Sequence, residues 1–290
     1  MGVWHHPDFS FIKCDITEQK AVESIFKQKN IHAVIHLAAI VGDPACKRDP
    51  DRARAVNLTA ATHLFELAKN TQVARFIFAS TCSNYGKMAD PNAFVDENSP
   101  LTPVSLYAET KVRFEELILD KSNAMAGFSP TSLRFATAYG VSPRMRFDLT
   151  VNEFTKELAL GNELLVYGQQ FWRPYCHVAD FSRAILSVLT ADMSKVAYNV
   201  FNVGDTEENY TKKMILDELL QYFPNAQIRS VKKAEDPRDY RVNFAKIKNE
   251  LNFGIIKKVP DGIKDVKDVI NYGVIVNPEE QQYYNIPHKA

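Results

Sequence analysis

The chain has no surplus of charge of either sign, few cysteines and no long apolar run, and each shortage removes a class of function. Lys+Arg and Asp+Glu both number 35 among 290 residues. Zero formal net charge gives no global pull toward nucleic acid or an anionic membrane, although local positive charge can still hold a phosphate. The four cysteines, Cys14, Cys46, Cys82 and Cys176, are scattered, with no C-x-x-C and no disulfide-like density. Reduced thiols in a cytoplasmic protein are the expectation. No apolar run approaches the roughly 18–20 residues that span a bilayer, and the N-terminus lacks the basic-then-apolar order of a signal peptide. There is no low-complexity tract and no internal repeat. His5-His6 has no partner at metal-ligand spacing, so no metal site is expected.

What is present is ample material for a core: 46% of residues are hydrophobic, and the length fits one large domain or two small ones. Short apolar runs alternate with amphipathic segments through the first half, which predicts an α/β fold with a parallel sheet. Strands are expected at 9–14, 33–37, 75–79 and 131–135, and helices at 18–29, 50–70 and 104–122. Asp49-Pro50 opens the second helix with a capping residue followed by proline. From about residue 141 the pattern is less regular. Helices are expected near 148–160, 178–190, 211–223, 243–251 and 260–272, with strands at 164–167 and 198–203.

If 104–122 is helical, Tyr107 and Lys111 are four apart and share a face. An ammonium beside a phenol favours the phenolate and lowers its pKa from about 10 toward working pH. Tyr107 is then a candidate general acid/base, and Thr81, at the end of a predicted strand, can hold a substrate hydroxyl beside it. A lone Y-x-x-x-K is common by chance; it gains weight from ordered neighbours. These are Val34-Ile35-His36-Leu37-Ala38-Ala39, then Asn57, Arg75-Phe76-Ile77-Phe78-Ala79-Ser80-Thr81 and Tyr107/Lys111. Leu133-Arg134-Phe135-Ala136-Thr137-Ala138-Tyr139-Gly140 and Trp172-Arg173-Pro174-Tyr175-Cys176-His177-Val178-Ala179-Asp180 follow.

Together these motifs resemble the extended short-chain dehydrogenase/reductase family, in its NAD-dependent epimerase/dehydratase branch acting on nucleotide sugars, over about residues 8–255. The resemblance implies a Rossmann-like doubly wound sheet in residues 1–140. It places a smaller substrate-binding region in 141–290, some of whose segments return to the core. It implies a nucleotide-diphosphate sugar as substrate, NAD as cofactor (NADP not excluded), and a homodimer through helices 50–70 and 104–122. Thr81, Tyr107 and Lys111 would be catalytic, with Lys111 also on the nicotinamide ribose. Leu37, Ala38 and Ala39 would border the cofactor, where small side chains permit close approach. Asp15 would accept from the adenine amine, although an Asp at a strand end is equally a turn residue. Asn57 would support the active-site loop.

The substrate would meet Thr81, Cys82, Ser83, Thr137, Arg173 and Arg238. The two arginines suit a diphosphate, and each is alternatively an ion-pair partner. Cys82-Ser83 stands where sugar 4,6-dehydratases carry Asp-Glu, which disfavours that chemistry. Cys82 is also one position away from the catalytic Cys of the 3,5-epimerases, so packing is its better reading. Thr137 replaces an Asn common in sugar epimerases and cannot match its two-sided pairing. The reaction expected is epimerisation or 4-ketoreduction.

The departure from the family is a missing G-x-x-G-x-x-G strand-turn-helix, the usual holder of the cofactor pyrophosphate. Residues 9–14 resemble the family's third strand, so a truncated, non-catalytic remnant or an incomplete start is the alternative expectation, with weak NAD binding. Strand 9–14 is expected to slide beside 33–37.

Overall fold

The computed structural model of the chain describes residues 3–287 except 89, 91–92, 233–235 and 237. Its strands are β1 (Ala33–His36), β2 (Arg75–Thr81), β3 (Ser129–Phe135), β4 (Thr137–Tyr139), β5 (Leu164–Tyr167), β6 (Trp172–His177), β7 (Asn199–Val203), β8 (Asn209–Thr211) and β9 (Ile228–Val231). In the first half lie helices α1 (Gln19–Gln28), α2 (Asp43–Arg48), α3 (Pro50–Arg54), α4 (Ala61–Lys69) and α5 (Leu106–Leu119). The second half adds α6 (Thr150–Ala159), α7 (Val178–Thr190), α8 (Met193–Val196), α9 (Lys212–Tyr222), α10 (Ala245–Leu251) and α11 (Val259–Asn271).

The main sheet runs β1-β2-β3-β7, parallel throughout. Alternation along β2 sends Phe76 and Phe78 to one face and Ile77 to the other. The first pair packs with Phe65, Phe114 and Ile118 of α4 and α5. Ile77 joins Leu133, Phe201, Ala184 and Val188 beneath α7. Helices therefore cover both faces, as an all-parallel sheet requires. A second core gathers Tyr139, Val151, Phe154, Tyr175, Ile215 and Ile263 between α6, α9 and α11. Around it lie the small sheets β4-β6-β8 and β5-β9. Among the described residues no helix is long and apolar enough to cross a membrane.

The predicted strand at 9–14 does not form, and it does not slide beside β1, which pairs with β2 alone. Phe11 and Ile12 remain 65% and 47% exposed, and the Trp4 ring instead lies 5.4 Å from Phe9 and 5.5 Å from Phe11. The reason is the edge on offer. β1 is four residues long, with Ala33 and Ile35 facing solvent, so pairing there buries too little apolar surface to offset the ordering of six residues.

The helix expected over 50–70 forms with an interruption. Asp49 accepts from the Arg52 amide and starts α3, but residues Ala55–Ala60 wind as a π-helical turn before α4 resumes. Such turns occur frequently at functional sites, and this one contains Asn57.

Candidate active site

Helix α5 begins with Ser105, whose hydroxyl accepts from the Ala108 amide at 3.3 Å. That cap sets the first turn and aims Tyr107 and Lys111 at the carboxyl ends of β1 and β2. Lys111 is 4% exposed; its Nζ donates to the Ala79 carbonyl at 2.7 Å and sits 4.5 Å from the Phe78 ring centre. The Tyr107 ring centre is 5.9 Å from the same Nζ. Thr81 closes β2, accepts from the Ser83 amide at 3.1 Å, and stands near enough to Tyr107 to favour its phenolate. The structure thus brings all three predicted catalytic residues together.

The electrostatics correct one expectation. Burial pushes the Tyr107 phenol well above its ordinary value, and Cys46 and Asp43 push the same way against Thr81 and Arg146. Burial also pulls Lys111 down to about 7, with Cys46 and Glu115 opposing. Desolvation outweighs the i,i+4 ammonium effect because Lys111 is buried and Tyr107 half-buried, and the ammonium is itself destabilised there. Near neutral pH Lys111 is therefore only partly charged.

Leu37 is 57% exposed, Ala38 is exposed and Ala39 half-buried, so the loop leaving the carboxyl end of β1 presents an open surface of mostly small residues. Asn57 holds that loop from both sides: its Oδ1 accepts from the Ile40 amide at 2.7 Å and its Nδ2 donates to the Ile40 carbonyl at 3.0 Å. The same Nδ2 reaches Thr110 of α5 at 3.5 Å. Asp15 sits elsewhere, bonded to Thr17 and paired with Arg52 at 2.6 Å, and these partners hold its carboxyl at about 2.

Of the remaining predicted positions, Cys82 is 1% exposed and its Sγ donates to the Arg134 carbonyl at 3.2 Å, with burial raising the thiol. Ser83 is half-buried in the turn after Thr81, and Thr137 stands half-buried on β4 opposite Tyr175. Arg173 and Arg238 converge on one carboxylate: Asp236 is 2.9 Å from Arg173 and 3.8 Å from Arg238. Arg238 also reaches Asp43 at 3.1 Å, and Asp43 accepts from Ser105 at 2.6 Å.

Asp43, Cys46 and Arg146 are neighbours of Tyr107 that sequence reasoning missed. Gly42-Asp43-Pro44 is a helix start of the same kind as Asp49-Pro50, with Pro in the first turn. Reading it would have placed α2, and Asp43 with it, directly after β1. Nothing local to Arg146 signals its approach to a tyrosine 39 positions earlier (146 against 107).

Residues 2–204 match the model of the NAD dependent epimerase/dehydratase family. The chain is 28% identical over 261 residues to a UDP-glucuronate 4-epimerase of Thermodesulfobacterium geofontis, covering 89% of this chain and 78% of that protein. It is 25% identical over 213 residues to a UDP-glucose 4-epimerase of Bacillus subtilis, covering 68% and 62%. In fold it is similar to the UDP-glucuronic acid 4-epimerase of Bacillus cereus, solved with UDP-glucuronic acid and NAD. The TM-score is 0.79 at 24% identity, over 91% of this chain and 82% of that one.

Proposed function

Because the chain belongs to the NAD dependent epimerase/dehydratase family, we propose that it interconverts nucleotide-diphosphate sugars by nicotinamide-dependent epimerisation, with Thr81, Tyr107 and Lys111 as the reacting set. The observation that carries the reading is the gathering of Thr81 and Tyr107 beside a buried Lys111 at the carboxyl end of a parallel sheet. That arrangement favours a working site over a non-catalytic remnant. Ala38, Ala39, Tyr107 and Lys111 would suit the nicotinamide and its ribose, since the loop after β1 is exposed and its side chains at 38 and 39 are small. No glycine-rich turn is present among the described residues to name for the pyrophosphate. Bound NAD would accept and return a hydride at a sugar carbon.

The chain's own residues would manage the proton and the grip. In its phenolate form Tyr107 Oη would take the proton from the sugar hydroxyl, becoming the phenol, and later give it back, while Thr81 Oγ1 hydrogen-bonds the same oxygen and holds it in line. A charged Lys111 lowers the cost of the phenolate. Arg173 and Arg238 would release Asp236 and Asp43 to hold the diphosphate, which guanidinium forks pair bidentately. A dehydratase step gains no support, because the residues after Thr81 are the buried Cys82 and Ser83 rather than carboxylates.

The test is incubation of the chain with NAD and UDP-glucose or UDP-glucuronate, following the 4-epimer by proton NMR. Tyr107→Phe should lower turnover by about 100- to 10,000-fold while leaving sugar binding nearly unchanged. Near-normal turnover in Tyr107→Phe would remove this residue from the mechanism.

A further inference from the structure

Outside the reacting set, a heavily tied pair of buried charges joins α5 to the main sheet: Glu115 and Arg134, side chains 2% and 5% exposed. Arg134 Nη2 and Nε both donate to Glu115 Oε1, at 2.6 and 3.0 Å, and Ser132 Oγ donates to Oε2 at 2.6 Å. Arg134 Nη1 donates to Tyr85 OH at 2.8 Å, and that hydroxyl donates to Asn202 Oδ1 at 2.7 Å. Burying two charges costs several kcal/mol per ion before their attraction is counted, so such a pair is weak evidence for stability and its best-attested use is to set register.

The placement of this pair shows which register. Tyr107, Lys111 and Glu115 are successive fourth residues of α5, so at 100° per residue they span only about 80° of its circumference. Arg134 lies beside Ser80 in the β2–β3 ladder, one residue from Thr81. Its carbonyl receives the Cys82 thiol and its guanidinium reaches Tyr85, so Arg134 also holds the turn that follows Thr81. One side chain is therefore tied to both halves of the reacting set. The other contacts of α5 with the sheet are mainly aromatic, as where Phe114 meets Phe78 at 4.7 Å. Such contacts resist separation but tolerate sliding and rotation, whereas a carboxylate held by three donors does not.

We propose that Glu115 and Arg134 are positioning residues that lock α5 against β2 and β3 so that Tyr107 meets Thr81. This rests on the assignment of Thr81, Tyr107 and Lys111 as the reacting set. Displacing a reacting group by about 1 Å can cost about 100-fold in rate, so the lock governs turnover more than binding.

Two variants test this. Glu115→Leu with Arg134→Met removes both charges together and fills their space, and Glu115→Asp keeps the charge but shortens the arm by one methylene. Each is compared with the parent for kcat and KM with NAD and a UDP-sugar, for melting temperature, and by crystal structure. The expected result in each folded variant is kcat at least tenfold lower, KM within about twofold, and the Tyr107–Thr81 separation increased in the crystal relative to the parent. A folded variant with that separation unchanged and kcat within twofold of the parent overturns the proposal. Should the double variant not fold, Glu115→Asp alone decides by the same two readouts. If the parent turns over neither sugar, the functional reading fails, while the crystal still reports whether the pair holds α5.

Discussion

Replacing Lys111 with methionine should stabilise the folded chain at pH 6, and by less at pH 9. In the folded protein burial pulls this lysine from 10.5 to about 7. The unfolded chain therefore binds more protons than the folded one between about pH 7 and 10.5, and stability rises with pH across that window. Below pH 7 the folded protein carries the full cost of a buried ammonium. At about 1.4 kcal/mol per pH unit, the fall from 10.5 to about 7 sets that cost at up to about 5 kcal/mol. By pH 9 two of those pH units are regained, about 3 kcal/mol. Methionine has no such titration and matches the apolar stem against Phe78. It gives up the bond to the Ala79 carbonyl, about 1 kcal/mol, equally at both pH values. Among its titrating neighbours, Cys46 and Tyr107 are pushed above their ordinary values and His36 is pulled down to about 4, so all three stay neutral through most of the window. Urea unfolding of parent and variant at pH 6 and pH 9 gives the four free energies required. The variant's advantage should be larger at pH 6 by about 2–3 kcal/mol. Equal advantages at the two pH values would mean that Lys111 titrates normally and that its buried, partly neutral state is wrong.

Gly140→Ala should destabilise by about 2–4 kcal/mol, because φ is +101° there and a new Cβ would overlap His177 Nε2; an unchanged denaturant midpoint would refute that close approach. Phe114→Ala should cost about 3–5 kcal/mol, since the ring is fully buried among Phe65, Phe76 and Phe78. A loss under 1 kcal/mol in thermal unfolding would show that this core collapses around the gap. Arg173→Ala should weaken UDP-sugar binding by about 10- to 100-fold, corresponding to about 1.5–3 kcal/mol for a charge-assisted contact; calorimetry giving parent affinity would take Arg173 out of the diphosphate grip.

Local signals were reliable wherever a local cause decides the structure. Ser105 caps α5, and the expected helix 104–122 appears as 106–119. Asp49-Pro50 starts the next helix on cue, and the apolar run at 75–79 became the central strand β2. Tyr107, Lys111 and Thr81 were legible because an i,i+4 spacing and a strand end are both sequence-local. What failed depended on depth or on distant partners. Phe9-Ser10-Phe11 alternates as a strand should, but alternation cannot report whether an edge with enough apolar surface awaits it, and four-residue β1 is no such edge. The sign of the Tyr107 shift was read from its helical neighbour alone, whereas the deciding quantity is how much water the folded site excludes. The π-helical turn that lets Asn57 clasp both backbone groups of Ile40 has no signature in Val56-Asn57-Leu58. The same logic explains why no joint role for Glu115 and Arg134 was legible, although Arg134 stands in one of the ordered motifs. Each is an ordinary charge in its own segment, nineteen positions from the other, and only the packing of α5 on β3 turns them into a fastening. Sequence thus names groups whose role is set within one element, while groups that align one element with another become visible once both are in place.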